Sequence, residues 1–235
     1  MINSIKGIVL KIKDYKDNDQ ILDVLTKEYG VISLIARGTK KPGAKLHYLI
    51  SSIYDFSFDY KENKTMFLII NSSLIKSYIE YNDSLMNAFV DIFYEIIGKS
   101  KEFTNEETYN NLEFILTNID HSNYYLLGSL FMSYIMKLHG IIPFVDGCVV
   151  CNKKKVVAIN NDLGGFVCEE HNGGGPTMDI ELLRQFRVIC KATYKDYDAI
   201  KDYIVSRELF NILMEFFIYN SDIKLKSYDF FIKVA

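Results

Sequence analysis

Long apolar runs are missing from this 235-residue chain; Phe67 to Ile70 is typical of the longest. A membrane-spanning helix needs roughly 18 such residues, so no membrane partner is expected. The N-terminus, Met1-Ile2-Asn3-Ser4-Ile5-Lys6, has no basic stretch leading into an apolar one, so no secretory signal is read there and a cytoplasmic location is expected. Catalytic signatures are missing too: there is no G-x-S-x-G, no Walker loop, no H-E-x-x-H and no dinucleotide fingerprint. Neither half of the zinc deaminase pattern is present. The chain is therefore not expected to be an enzyme. Tryptophan is absent, and nothing functional follows from that. Cysteine is scarce, at four; in a reducing compartment these read as metal ligands or free thiols rather than disulfides.

What is present is globular. With 49% hydrophobic and 24% charged residues, extended disorder is excluded. A net charge of −3 argues against coating nucleic acid with the whole surface. The charge is unevenly distributed, however. Residues 1–77 carry 12 Lys/Arg against 8 Asp/Glu, or +4, and residues 78–235 carry 15 against 22, or −7. A polyanion should meet the first third.

That first third reads as strands. β-Branched and aromatic residues alternate with polar ones over Ser4–Lys13, Gln20–Lys27, Val31–Arg37, Tyr48–Tyr60 and Thr65–Ile70, with turn-prone segments between them. Five short strands with no helical crossover favour a small closed barrel of OB type. From about Asn82 the period becomes helical. Leu85, Phe89, Ile92, Phe93, Ile96 and Ile97 form one stripe, and Leu126, Leu127, Leu130, Phe131, Tyr134 and Leu138 another. Further helices are predicted over Met178–Ala192 and Ser206–Tyr219, with Ser206 as N-cap. The expected fold class is α+β: an OB-fold barrel over 1–77, then an α-helical domain over 78–235 with an inserted zinc-knuckle loop at 141–177.

That loop holds six of the thirteen glycines, two of the three prolines and three of the four cysteines. Cys148 and Cys151 are followed, sixteen residues on, by Cys168 and His171. Two pairs at this spacing let adjacent turns grip a tetrahedral Zn2+ from two sides. Asn152 and Asn172-Gly173 stand where a knuckle turn needs a left-handed residue, and Gly164-Gly165 lets the intervening hairpin bend. Four protein ligands leave no open position, so the expected metal is structural. Cys190 falls in a helical apolar stripe and reads as a core residue; His47, His121 and His139 are isolated.

Arg37-Gly38-Thr39-Lys40-Lys41-Pro42-Gly43-Ala44-Lys45 is a basic, glycine-bearing loop with no acidic residue between Tyr29 and Tyr54. It can meet a phosphate chain with charge and with backbone N–H groups. Lys6, Lys11 and Lys13 could extend the patch, Lys11 and Lys13 sharing a face only if their strand stays regular. Lys153-Lys154-Lys155 is a second, weaker run. Tyr54, Phe56, Phe58 and Tyr60 recur at period two, and core packing is the preferred reading over base stacking. Tyr15 is the better stacking candidate.

The order of these features resembles the bacterial recombination mediator RecO family. The resemblance is carried by Gly7-Ile8-Val9-Leu10 with Asp14-Tyr15 and Asp19, by Leu25-Thr26-Lys27-Glu28-Tyr29-Gly30, and by Ala36-Arg37-Gly38 with the basic loop. It continues through Leu138-His139-Gly140-Ile141-Ile142-Pro143, the cysteine pairs, Gly164-Gly165-Phe166-Val167-Cys168 and Leu225-Lys226-Ser227. What the resemblance implies is binding of single- and double-stranded DNA, annealing of complementary strands and, with RecR, help in loading RecA on DNA covered by single-stranded DNA-binding protein. It also implies binding of that protein's C-terminal tail, a bacterial cytoplasmic setting at the nucleoid, and no cofactor beyond structural Zn2+. Carried over by position, the DNA contacts are Arg37, Lys40, Lys41 and Lys45, with Lys11 and Lys13 added as the extension of the patch read above, and the metal ligands are Cys148, Cys151, Cys168 and His171. Many relatives have Cys where His171 stands. Two other classes compete: a zinc-stapled adaptor that bridges proteins without touching DNA, and a metal-dependent nuclease or deaminase.

Overall fold

A computed structural model describes residues 2–44, 47–59, 65–78 and 83–235, with side chains from Ser4 onward. Its first five strands, β1 (Ile2–Tyr15), β2 (Asp19–Thr26), β3 (Gly30–Ala36), β4 (Ser52–Asp59) and β5 (Met66–Ser77), close a barrel in the order β1-β2-β3-β5-β4. All neighbours are antiparallel except β3 and β5, which run parallel over Ser33–Ile35 and Met66–Leu68. The N-terminal module is the expected OB-type barrel, followed by helices.

Alternation explains the barrel's filling. From β4, Tyr54, Phe56 and Phe58 point inward and are almost fully buried with Val9, Leu22, Leu34 and Phe67. The rings meet: Tyr54 and Phe56 are 5.5 Å apart, and Phe58 and Phe67 5.4 Å. These three rings are core, as the pattern predicts; Tyr60 lies outside the described residues. The consecutive apolar triplet Ile8-Val9-Leu10 cannot alternate, and the register of β1 against β2 shifts between Val9 and Lys11. Such a bulge resets the inward face, from Ile5 and Val9 before it to Ile12 after it. Beyond it the pairing is regular from Lys11↔Asp23 to Tyr15↔Asp19, so Lys11 and Lys13 do share the outer face. Strand β5 runs seven residues past its expected end at Ile70, because β4 pairs with it as far as Ser52↔Ser77. Ladder hydrogen bonds there override the turn-prone look of Asn71-Ser72-Ser73.

The helices are α1 (Ser84–Lys99), α2 (Glu106–Asn118), α3 (Tyr124–Leu138), α4 (Ile180–Lys191), α5 (Tyr197–Ile200), α6 (Arg207–Ser221) and α7 (Lys226–Val234), with a hairpin of β6 (Ala158–Asn160) and β7 (Gly165–Val167) before α4. Ser206 caps α6 as expected, its hydroxyl accepting from the Leu209 N–H at 3.2 Å. Helices α2, α5 and α7 are additions to the sequence reading. The chain divides into two compact units, Met1–Asn118 with Leu225–Ala235, and Ile119–Lys224. Whereas the change of hydrophobic period falls near residue 78, the first compact unit keeps α1, α2 and α7 with the barrel. Ring contact between Phe89 and Phe231, 5.2 Å apart, is part of that packing. Among the described residues no helix is long and apolar enough to cross a membrane.

Candidate metal centre and nucleic-acid interface

In the second unit the two predicted ligand pairs come together. Each of Cys148, Cys151, Cys168 and His171 offers one ligand atom, and all four atoms lie within 4.8 Å of one another. Cys151 Sγ is 3.6 Å from Cys168 Sγ, and His171 Nδ1 is 3.5 Å from Cys148 Sγ and 3.3 Å from Cys168 Sγ. All four cysteines of the chain, Cys190 included, are free thiols. A tetrahedron with Zn–S bonds of about 2.3 Å has S···S edges of roughly 3.8 Å, so the group is sized for such an ion. Three soft thiolates and one imidazole also suit Zn2+ chemically. The cluster could hold a metal ion with no position left for a water or substrate.

Backbone geometry builds the two grips. In the first, Asn152 N–H donates to the Cys148 carbonyl at 2.8 Å and Cys148 N–H to the Lys153 carbonyl at 2.9 Å. This closure needs the left-handed φ of +60° at Asn152, as expected there. In the second, His171 N–H donates to the Cys168 carbonyl at 3.0 Å, and Gly173, at φ +61°, takes the left-handed turn. Burial works to raise the Cys148 thiol, but N–H groups of Cys168, Cys151 and Val150 outweigh it and bring it to about 6. A thiol so biased towards thiolate is prepared for a cation. Phe144 N–H donates to Gly164 and its carbonyl accepts from Phe166, both at 2.9 Å. Phe166 packs on Phe186 of α4, 5.8 Å between rings, and Asp146 accepts from Arg187 and Lys191. The hairpin is thus fastened to α4 as well as to its own ligands. Cys190 is buried in α4, and burial pushes its thiol up, which fits the core role read from its stripe.

In the first unit the basic loop follows β3 and turns at Gly38 and Gly43, both with positive φ. It is pinned to the β1–β2 turn: Gly38 N–H donates to Asp19 Oδ1 at 2.9 Å, and Lys40 N–H to the Asn18 carbonyl at 3.2 Å. Arg37 and Lys41 are exposed and make no ion pair among the described residues. Lys40 is exposed but sits 2.7 Å from Asp14, whose carboxyl that contact holds below the usual range. Lys45 lies outside the described residues. On the outer face of β1, Lys6 and Lys11 are exposed, whereas Lys13 is 2.8 Å from the buried Asp23. Burial works to raise the Asp23 carboxyl, but hydrogen bonds from Lys13, Ser33 and Lys101 hold it low. Tyr15 is half-buried, with Lys16 over its ring. In the other unit, Lys153 pairs with Glu170 and Lys154 donates to the Asp146 carbonyl, so that basic run is used largely in local structure.

The six cationic candidates are therefore not equivalent, and the carboxylates that make them so, Asp14 and Asp23, escaped the sequence reading. A signal was available for Asp23, an acid facing out between Leu22 and Val24 of a buried strand; for Asp14 there was none.

Residues 1–78 match the family model described as "Recombination protein O N terminal". The chain is also similar to the DNA repair protein RecO of Bacillus cytotoxicus and to that of Bacillus mycoides, 24% identical to each over 179 residues. Each match covers 73% of this chain and 71% of the relative. The Bacillus cereus protein of the same name is 23% identical over the same share.

Proposed function

From its similarity to the RecO proteins we propose that the chain is a member of that family and a recombination mediator in DNA repair, binding single- and double-stranded DNA and annealing complementary strands. The observation that carries the reading is the exposed pair Arg37 and Lys41 on a glycine-turned loop that is pinned to the β1–β2 turn of an OB-type barrel. Phosphates of two strands repel one another, and a cationic loop that neutralises both lowers the repulsion while holding the strands close. Screening and proximity are then the whole of the catalysis, with no bond made or broken. No enzymatic site is proposed. With RecR the chain would help load RecA onto DNA covered by single-stranded DNA-binding protein, whose C-terminal tail it would also bind. The setting is the bacterial cytoplasm, at the nucleoid.

Cys148, Cys151, Cys168 and His171 would hold Zn2+ as a structural ion, supplying cross-linking of the two knuckles and no reaction. Metal analysis of the purified protein should give one zinc per chain; none, in protein purified without chelator, would remove the assignment. One observation favours a second reading, the zinc-stapled adaptor: Lys40 and Lys13 are each held by a carboxylate. Fluorescence anisotropy with single-stranded DNA at low salt separates the two. Saturable binding, together with faster annealing of complementary strands, supports the mediator; no binding leaves the adaptor. Incubating labelled DNA with the protein should yield no cleaved or deaminated product.

A further inference from the structure

A cleft of about 580 Å3 lies inside the first compact unit, walled by the outer face of β1 and β2, by the end of α1 and by the start of α7. Five lysines line it: Lys11 and Lys13 from β1, Lys99 from α1, Lys101 just beyond α1, and Lys226 from α7. Three carboxylates share the lining, Asp23, Asp91 and Glu95, leaving a surplus of two positive charges. The arrangement concentrates that surplus. Lys13 and Lys101 both bind the one buried Asp23, at 2.8 and 3.2 Å. Glu95 is engaged on both oxygens, one by Lys99 at 2.8 Å and the other by the Ser227 N–H and hydroxyl at 2.8 and 2.6 Å. Lys11 and Lys226 make no ion pair among the described residues.

The chemistry of the walls narrows the occupant. Leu10, Ile50 and Gly98 supply apolar surface, and the one aromatic ring among the described lining residues, Tyr94, is buried with its hydroxyl tied to Ser51 at 2.6 Å. Among the described residues of the lining no ring faces out for a base to stack on, so recognition would fall to the lysines, which act on phosphates as point charges without reading sequence. Strand β1 carries residues of both surfaces, Lys11 and Lys13 in the cleft and Asp14 at the loop. Asp14, the residue after Lys13, is the one that holds Lys40. From Lys11 to Asp14 is three strand residues, about 10 Å. We infer that this cleft is a second polynucleotide-binding surface, a lysine track that takes the phosphodiester backbone of a strand already engaged by the loop. The inference rests on the reading of that loop as a DNA contact. It favours DNA over an acidic peptide because the two cationic surfaces are consecutive along one strand. Its consequence is a binding site longer than the loop.

The test uses the full chain and oligothymidylates of about 5 and about 20 nucleotides, titrated by anisotropy over a salt series. Lys11→Ala with Lys226→Ala breaks no ion pair among the described residues, and its melting curve should match the parent's. The expected result is a larger loss of affinity for the long strand than for the short one, and a salt slope for the long strand smaller by about 1.4, at 0.7 per lost phosphate contact. Lys11→Arg with Lys226→Arg should restore the slope. An unchanged slope for the long strand removes the cleft alone, while parent protein that binds neither strand removes the loop reading as well. A poly-glutamate peptide that binds the parent more tightly than the long strand, and loses that affinity in the alanine variant, would make the cleft a peptide site and overturn the inference.

Discussion

On the proposed reading, Asp14 limits how much of the basic loop can act on DNA. Its carboxylate meets Lys40 at 2.7 Å, so that lysine reaches a phosphate only by exchanging one anion for another. Asp14→Asn is therefore expected to tighten single-stranded DNA binding at low salt and to steepen the salt slope by up to about 0.7, as anisotropy would read. Unchanged affinity would mean that Lys40 is idle with or without its partner. A second residue-scale case is Gly165. A Cβ there would stand 2.7 Å from Phe144 N and closer still to Phe144 O, both of them backbone atoms that cannot swing aside. Gly165→Ala should cost roughly 1–3 kcal/mol, read as a lower denaturation midpoint. The sequence showed that Gly164-Gly165 had a bend to make. What it could not show is that Gly165 is also a point of close approach, since Phe144 lies 21 positions away and nothing in the chain marks the pairing.

Elements differ in legibility for physical reasons. Helices α1, α3, α4 and α6 were readable because their buried positions are apolar and recur at helical spacing. Helix α2 hides its stripe: Thr108 and Asn111 stand at buried positions, the Thr108 hydroxyl accepting from the Asn105 N–H and the Asn111 amide donating to the Glu107 carbonyl. Helix α7 has nine residues, few for independent helix formation, and is held from outside by Glu95 on Ser227 and by Phe89 on Phe231. That tether predicts an acid dependence. Burial works to raise the Glu95 carboxyl, but Lys99 and the Ser227 and Lys226 donors bring it down from 4.5 to about 2. A depressed carboxyl contributes stability above its unfolded pKa and loses it as pH falls towards the folded one. The loss should run from about pH 4.5 to about 2 and amount to no more than about 3 kcal/mol. In Glu95→Gln the denaturant midpoint should vary less across that window; identical acid profiles would contradict the tether. The knuckle hairpin makes the opposite case, its four ligands lying within 24 positions and so readable as a set. Chelation is expected to lower the melting temperature while DNA binding at 25 °C persists, because Phe166 and Asp146 still fasten the hairpin to α4. Equal melting with and without chelator would show that no ion contributes.

At the scale of the molecule, the sign of the net charge misleads and its distribution informs. A chain at −3 still carries an excess of four positive charges over residues 1–77, the barrel's span. The barrel, its basic loop and the ligand pairs were legible because each is local in sequence or repeats at a fixed period. The lysine cleft was not, since positions 11, 13, 99, 101 and 226 meet only on folding. The claim on which the functional reading turns is that Arg37 and Lys41, exposed cations of the loop without an ion pair among the described residues, touch phosphate. The most direct measurement is the salt dependence of single-stranded DNA affinity for the parent and for Arg37→Ala with Lys41→Ala, a variant that breaks no ion pair among the described residues. A slope smaller by about 1.4, with unchanged melting, is the predicted result. Parallel salt plots, displaced or superimposed, would contradict it.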